Sequence, residues 1–256
     1  VQLLLYVKQI LSLDLGFSFR HGLPVAELIA SRLMPTLLLM GTVFVVAVGV
    51  GVLLGSLAAR NLNRWQDNLV SSLTVLAYAT PVFWAGLMLI VVFSIHLGWF
   101  PTSGMQKVAA FYEGFDKVRD IAHHLVLPAV TLTLFYLALY TRLMRASVLE
   151  QVSMDYVVTA RAKGLTERQI VRRHVLRNAM LPVLTMAGVQ IGAVFGGAVV
   201  VETVFAWPGL GLLAYESLFA RDLNLLLGIF FVSTCLVVVV NLLVDLAYSM
   251  LDPRIE

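Results

Sequence analysis

The chain has 256 residues, of which 60% are hydrophobic and 13% charged, with a mean hydropathy of +0.90. A soluble domain carries roughly 25% charged residues, so these values exclude a water-facing globule, and the hydrophobicity excludes disorder. The net charge of +3 and isoelectric point of 9.1 read as the Lys and Arg excess of cytoplasmic loops in a membrane protein, not as a nucleic-acid surface.

In chain order, residues 1–32 form an extracytoplasmic segment. Its first part, VQLLLYVKQILSL, is apolar, carries Lys8 and is too short to span, so it reads as an interfacial or packed external helix. A transmembrane unit follows over 33–248. Stretches without Asp, Glu, Lys or Arg place its spans at about 34–59, 69–97, 125–145, 179–201 and 223–244, an all-α architecture of five membrane helices. The third is short and reaches 145 if Arg142 and Arg145 snorkel. Pro81 should kink the second span, while Pro128 and Pro182 are placed in the first turns of the third and fourth. Residues 102–124 read as a solvated external loop, 146–178 as a long cytoplasmic loop and 249–256 as a cytoplasmic tail. The one cysteine, Cys235, excludes an intrachain disulfide and reads as a small buried or lipid-facing hydrophobe.

Charge sets the orientation. One side holds eleven basic and seven acidic residues, the other seven basic and eight acidic. The basic side, with the C-terminus, is the cytoplasm. Five spans then put the N-terminus outside, where no signal peptide accounts for it. The economical expectation is that Val1 is not the natural start and that a sixth, N-terminal span precedes it.

Several chemistries lack their residues. There is no H-E-x-x-H, no Gly-x-Ser-x-Gly elbow and no phosphate-binding loop of the G-x-x-x-x-G-K-[ST] type. These absences leave no catalytic or metal residue to name, and place ATP hydrolysis outside this chain. No span contains an interior Asp, Glu, Lys or Arg, the groups that ion- and proton-coupled carriers retain at a cost of about 2.5–3.5 kcal/mol each. A secondary transporter or channel is therefore the second reading, and a membrane enzyme the third. His96 reads as a satisfied interfacial histidine.

The cytoplasmic loop holds two helical units. The first runs from about Asp155 to Lys163, with Ser153 or Asp155 as its cap and Gly164 as its left-handed stop. The second opens at Thr166, where Thr166 and Gln169 fit a capping box, and continues through Arg168, Arg172, Arg173 and Arg177 into the fourth span. A basic collar on anionic lipid accounts for the arginines. It does not account for a short helix with small residues at Ala160 and Ala162, which fits the groove of a cytoplasmic partner.

Two further features stand out. Gly188, Gly192 and Gly196 leave one face of the fourth span nearly bare; close helix packing is the preferred account, and a face on the partner permease or translocation path the other. Gly51 and Gly55 repeat the spacing, and there packing is expected. Glu202 ends the fourth span before a Trp207-Pro208-Gly209 turn. It is either exposed or structurally bonded, or it faces a path. Trp207 is expected as an interfacial anchor.

The stretch DYVVTARAKGL, followed by Leu181-Pro182, resembles the E-A-A-x-x-x-G loop of binding-protein-dependent ABC import permeases. Thr159 stands where the general pattern has Glu, as is usual in the dipeptide, oligopeptide and nickel branch. Asp14-Leu15-Gly16-Phe17-Ser18, Glu202 to Gly211, Asn241 to Asp245 and Asp252-Pro253-Arg254 resemble that branch too, so the likeness covers essentially the whole chain. The resemblance implies a type I importer permease fold with an additional N-terminal span, in the bacterial inner membrane. It implies a coupling helix at Tyr156, Ala160, Arg161, Ala162, Lys163, Gly164 and Leu165. The implied partners are a homologous second permease, two cytoplasmic ATPase subunits carrying ATP and Mg, and an extracytoplasmic solute-binding protein. No cofactor is implied on this chain, and the substrates implied are short peptides first and nickel or a nickel chelate second.

Overall fold

The computed structural model describes residues 15–107 and 111–251, and within its helices the side chains of 191–197, 243–245 and 247–251 lie outside that description. The apolar segment 1–13, Asp14 and the terminal Asp252-Pro253-Arg254 block therefore fall outside it. The described secondary structure is helical: α1 Val25–Arg60, α2 Trp65–Ala79, α3 Val82–Leu89, α4 Gly114–Val152, α5 Asp155–Ala162, α6 Glu167–Ile170, α7 Leu176–Val204, α8 Leu210–Ala220 and α9 Leu223–Leu251. Two π turns, Ile90–His96 and Val171–Val175, extend α3 and join α6 to α7.

The helices outrun the apolar windows that announce them. α4 has 39 residues, about 58 Å at 1.5 Å per residue, against a hydrocarbon layer of about 30 Å. Residues 114–124, expected as loop, are its opening turns, and Pro128 sits well inside the helix. Pro182 likewise lies inside α7, and Pro35 inside α1. Hydropathy marks where lipid is met, whereas backbone hydrogen bonding continues into the charged ends. The second span departs further from expectation. It is broken at Thr80-Pro81 into α2 and α3, with a bend of 103°. Pro81 follows a residue held extended at φ −81°, ψ 125°, the conformation a following proline favours. The chain thus leaves the helix before Pro81 instead of kinking through it.

The described residues divide into two compact units. The first combines the chain up to Gly41 with Gly86–Ala129 and Gly192–Val240. Its core is Val25, Ile29, Leu210, Leu213, Leu225 and Ile229, and Gly228 lets α9 come so close to α1 that a Cβ there would sit 2.6 Å from Val25. His96 bonds the Val91 carbonyl at 2.8 Å, inside its own π turn.

The second unit combines Thr42–Ala85, Val130–Ile191 and the chain from Asn241. Here α1 meets α4 at its glycines: a Cβ on Gly51 would lie 2.7 Å from Tyr140 Cβ, and one on Gly55 2.8 Å from Met144 Cβ. The packing expected of this pair is observed. Tyr78 stacks on Phe135 with centroids 5.1 Å apart. Large apolar side chains such as Leu53, Leu76 and Val189 stay on the surface, as a lipid-facing exterior requires. Cys235 is among the exposed residues of α9.

Candidate functional site: the cytoplasmic elbow

The site is the segment from Met154 to Val175, within the second unit. α5 begins after Met154, whose backbone is extended and whose side chain makes no cap. Neither expected cap is used: Ser153 Oγ turns back to the Glu150 carbonyl at 2.7 Å, and Asp155 stands inside the first turn, where its charge suits the helix dipole.

The helix ends as the sequence indicates. Gly164 has φ +82°, the left-handed region open to a residue without Cβ. The Leu165 amide donates to the Ala160 carbonyl at 3.2 Å and the Gly164 amide to Arg161 at 2.9 Å. Both bonds of a Schellman motif are therefore present. Two residues on, Thr166 Oγ1 accepts from the Gln169 amide at 3.4 Å and Gln169 Oε1 accepts from the Thr166 amide at 2.9 Å. This is the expected capping box.

A third restraint spans the turn. Arg161 donates from Nε and a terminal nitrogen to the two Glu167 oxygens at 2.6 and 3.2 Å. Each charge shifts the other's titration: Glu167 holds the Arg161 guanidinium above its usual range, and Arg161 holds the Glu167 carboxyl below its own. The pair is solvent-exposed and contributes little to global stability. Its role is geometric, since it ties α5 to α6 across Gly164.

The named residues fall on two faces. Ala160 is only 6% exposed and, with Val157 at 1%, forms the inward side of α5. Arg161, Ala162, Lys163 and Gly164 are exposed, with Val158 beside them, while Tyr156 and Leu165 are half-buried. Tyr156 donates its hydroxyl to Gln151 Oε1 at 2.9 Å, and its ring lies 6.5 Å from that of His174. Val157 and Ile170, both 1% exposed, pin the elbow and escaped the sequence reading; two apolar residues flanking a polar turn were the available signal.

The remaining candidates lie elsewhere. Gly188 is half-buried on α7, and the surroundings of Gly192 and Gly196 fall outside the described residues. Glu202 is fully buried in the first unit. Its Oε1 accepts from Thr36 Oγ1 at 2.8 Å and its Oε2 from the Leu212 amide at 2.9 Å, so it closes the turn that leads into α8. Trp207 is buried beside it and donates Nε1 to the Pro35 carbonyl at 2.9 Å. It is not the expected interfacial anchor, because a backbone carbonyl inside the protein satisfies its N–H. Among the described residues no three His, Cys, Asp or Glu side chains converge as a metal cluster.

Residues 51–256 match the family described as binding-protein-dependent transport system inner membrane component. The chain belongs to this family. It is similar to the oligopeptide transport system permease protein AppB of Bacillus subtilis, with 42% identity across 100% of this chain and 80% of that protein. It is 41% identical to the glutathione transport system permease protein GsiC of Escherichia coli K12, across 98% of this chain and 78% of that one. Among solved structures, an inward-facing MetNI methionine ABC transporter chain shares the fold with a TM-score of 0.70 at 17% identity, over 89% of this chain and 97% of that chain. An amino acid ABC transporter chain reaches 0.64 at 16%, over 88% and 94%. The protein is a permease component of an ABC importer, with an all-helical type I fold in the inner membrane.

Proposed function

We propose that this permease forms half of a translocation pathway for short peptides, driven by ATP hydrolysis on two cytoplasmic ATPase subunits. A homologous second permease supplies the other half and an extracytoplasmic binding protein delivers the substrate. In this reading the C-terminus is cytoplasmic, residues 33–248 form the transmembrane domain, and ATP and Mg act on the partners.

The observation that carries the proposal is the elbow. A Schellman turn, a capping box and an ion pair brace α5 against α6 within ten positions of sequence, Ala160 to Gln169. A short helix held this firmly transmits displacement instead of absorbing it. The exposed residues Val158, Arg161 and Ala162 of α5, with Lys163 and Gly164 after it, are the surface offered to the ATPase. Nucleotide binding there biases an equilibrium between inward- and outward-facing states. Peptide import is supported by the oligopeptide and glutathione permeases at 41–42% identity. Nickel or nickel-chelate import by the same mechanism is the second reading, drawn from the branch the sequence motifs resemble.

Reconstitution tests both. The permease pair should co-purify with two ATPase subunits, and proteoliposomes loaded with ATP should take up labelled peptide only with the binding protein present. Uptake driven by an ion gradient without ATP would overturn the mechanism. ATP-dependent uptake of nickel but not of peptide would select the second reading.

A further inference from the structure

Among the described residues, four arginines of the elbow have no ion-pair partner. Arg168 lies in α6, Arg172 and Arg173 in the π turn, and Arg177 at the second position of α7. All four are exposed. Ion pairs among the described residues join Asp120 with His124, Asp67 with Arg145, and Glu167 with Arg161. Glu167, the carboxylate nearest in sequence to Arg168, is thus already engaged across the turn.

The π turn decides where these arginines point. In an uninterrupted α-helix of 3.6 residues per turn, nine positions rotate the helix by about 900°, which leaves Arg168 and Arg177 on opposite sides. A π turn winds less per residue, so Val171–Val175 draws Arg177, which lies beyond it, back toward the side of Arg168, and Arg173, inside it, by a smaller angle. The four side chains then share one broad face. Ile170 and Val175, each 1% exposed, lie on the other.

The stripe runs straight into the uncharged stretch of α7. From Asn178 to Val201 α7 has no charged residue, so Arg177 stands at the boundary of the apolar layer. The nine positions back to Arg168 span about 13 Å. That covers the headgroup zone plus roughly one Debye length of about 8 Å. Guanidinium groups are planar forks that match phosphate oxygens in pairs.

We propose that Arg168, Arg172, Arg173 and Arg177 form a binding face for anionic phospholipid headgroups of the leaflet that α7 enters. The face anchors the elbow to the membrane surface and sets the height at which α5 meets its partner. The inference rests on α7 as a membrane span. It is independent of the transported substrate.

The test uses the assembled transporter in proteoliposomes of phosphatidylcholine with a minority of phosphatidylglycerol. Spin-labelled phosphatidylglycerol and phosphatidylcholine report which lipid the protein retains. The wild type should enrich phosphatidylglycerol, less so at high salt. Each Arg→Gln change should lower that enrichment by up to about fivefold, following the value of a single basic residue at an anionic surface. The quadruple Arg→Lys variant keeps the charge and should retain most of it. If the quadruple Gln variant does not assemble, Arg168→Gln and Arg177→Gln singly read the same loss. Enrichment unchanged in the Gln variants overturns the proposal. So does loss of ATPase co-purification with enrichment intact, which would assign the face to the ATPase. Transport is not the readout, so failure here leaves the proposed function standing.

Discussion

Arg145 on α4 grips Asp67 on α2 across 78 positions of sequence, Nε to Oδ1 at 2.7 Å and a terminal nitrogen to Oδ2 at 2.8 Å. Asp67 is buried, and its carboxylate also accepts the Asn63 amide at 3.0 Å and the Ser71 hydroxyl at 3.4 Å. The pair ties the opening turn of α2 to the helix that leads into the elbow.

Removing one partner leaves a buried charge uncompensated. Arg145→Ala should therefore destabilise by about 3 kcal/mol, near the lower end for broken buried pairs. The double variant Asp67→Asn with Arg145→Gln should cost less than Arg145→Ala alone. Thermal unfolding of the purified transporter in detergent measures these, and a double-variant loss equal to the sum of the Asp67→Asn and Arg145→Gln losses would show that the pair is not coupled.

The glycines of α1 give an internal control. A Cβ on Gly55 would meet the Thr141 carbonyl oxygen at 2.5 Å and the Arg145 amide at 3.0 Å, both backbone atoms, whereas one on Gly49 meets nothing within 4 Å. Gly55→Ala should destabilise by about 1–3 kcal/mol through overpacking. Gly49→Ala should be neutral or stabilising by up to about 1 kcal/mol, because alanine favours helix. Unfolding midpoints of the two variants should move in opposite directions or differ clearly; equal shifts would contradict the close approach of α1 and α4.

How much of this was legible in the sequence depends on the range of the interaction. Gly164, Thr166 and Gln169 satisfy backbone groups within a few positions of themselves, so turn chemistry alone located the elbow. The Asp67–Arg145 pair and the burial of Trp207 are settled by partners far away in sequence, Arg145 in one case and the Pro35 carbonyl in the other, and nothing local announces them. The apolar windows fall on α1, α2 with α3, α4, α7 and α9, but they carry no sign of the helical turns outside them, so the opening of α4 at Gly114 was not visible. The break at Pro81 was visible as a proline. Its size was not, because the bend depends on how Thr80 is held.

The pH dependence of the first unit should centre on Asp222. This buried residue precedes α9, and its carboxylate accepts Ser18 Oγ at 2.6 Å and the amides of Arg20 at 3.2 Å and Leu225 at 3.3 Å. Burial pushes its titration up, but these hydrogen bonds and the nearby His21 outweigh it, so the carboxyl titrates below its usual range. A lowered folded value means that the stabilisation is complete above the ordinary aspartate value of about 3.9. It is lost as pH falls through the lower, folded value. Asp222→Asn should be less stable than wild type at pH 6 and close that gap toward pH 3. A gap independent of pH would show that the carboxylate charge plays no part.

The elbow itself is best tested by strain at Gly164. Valine there would have to hold φ +82° with a branched side chain, at a cost of about 1–2 kcal/mol or more. Relieving that strain means unwinding the turn, which moves Leu165 away from the Ala160 carbonyl and opens the distance that Arg161 and Glu167 bridge. Gly164→Val should then reduce ATP-driven uptake by roughly an order of magnitude, the scale of a lost coupling energy between two sites. Membrane insertion should be unaffected, because the turn lies outside the apolar spans. Glu167→Gln provides the comparison. It removes an exposed ion pair worth little in stability while the Schellman and capping-box bonds remain, so uptake should fall only slightly. ATP hydrolysed per peptide imported separates the cases: it should rise sharply for Gly164→Val and little for Glu167→Gln. An unchanged ratio in Gly164→Val would mean that the elbow does not carry the coupling.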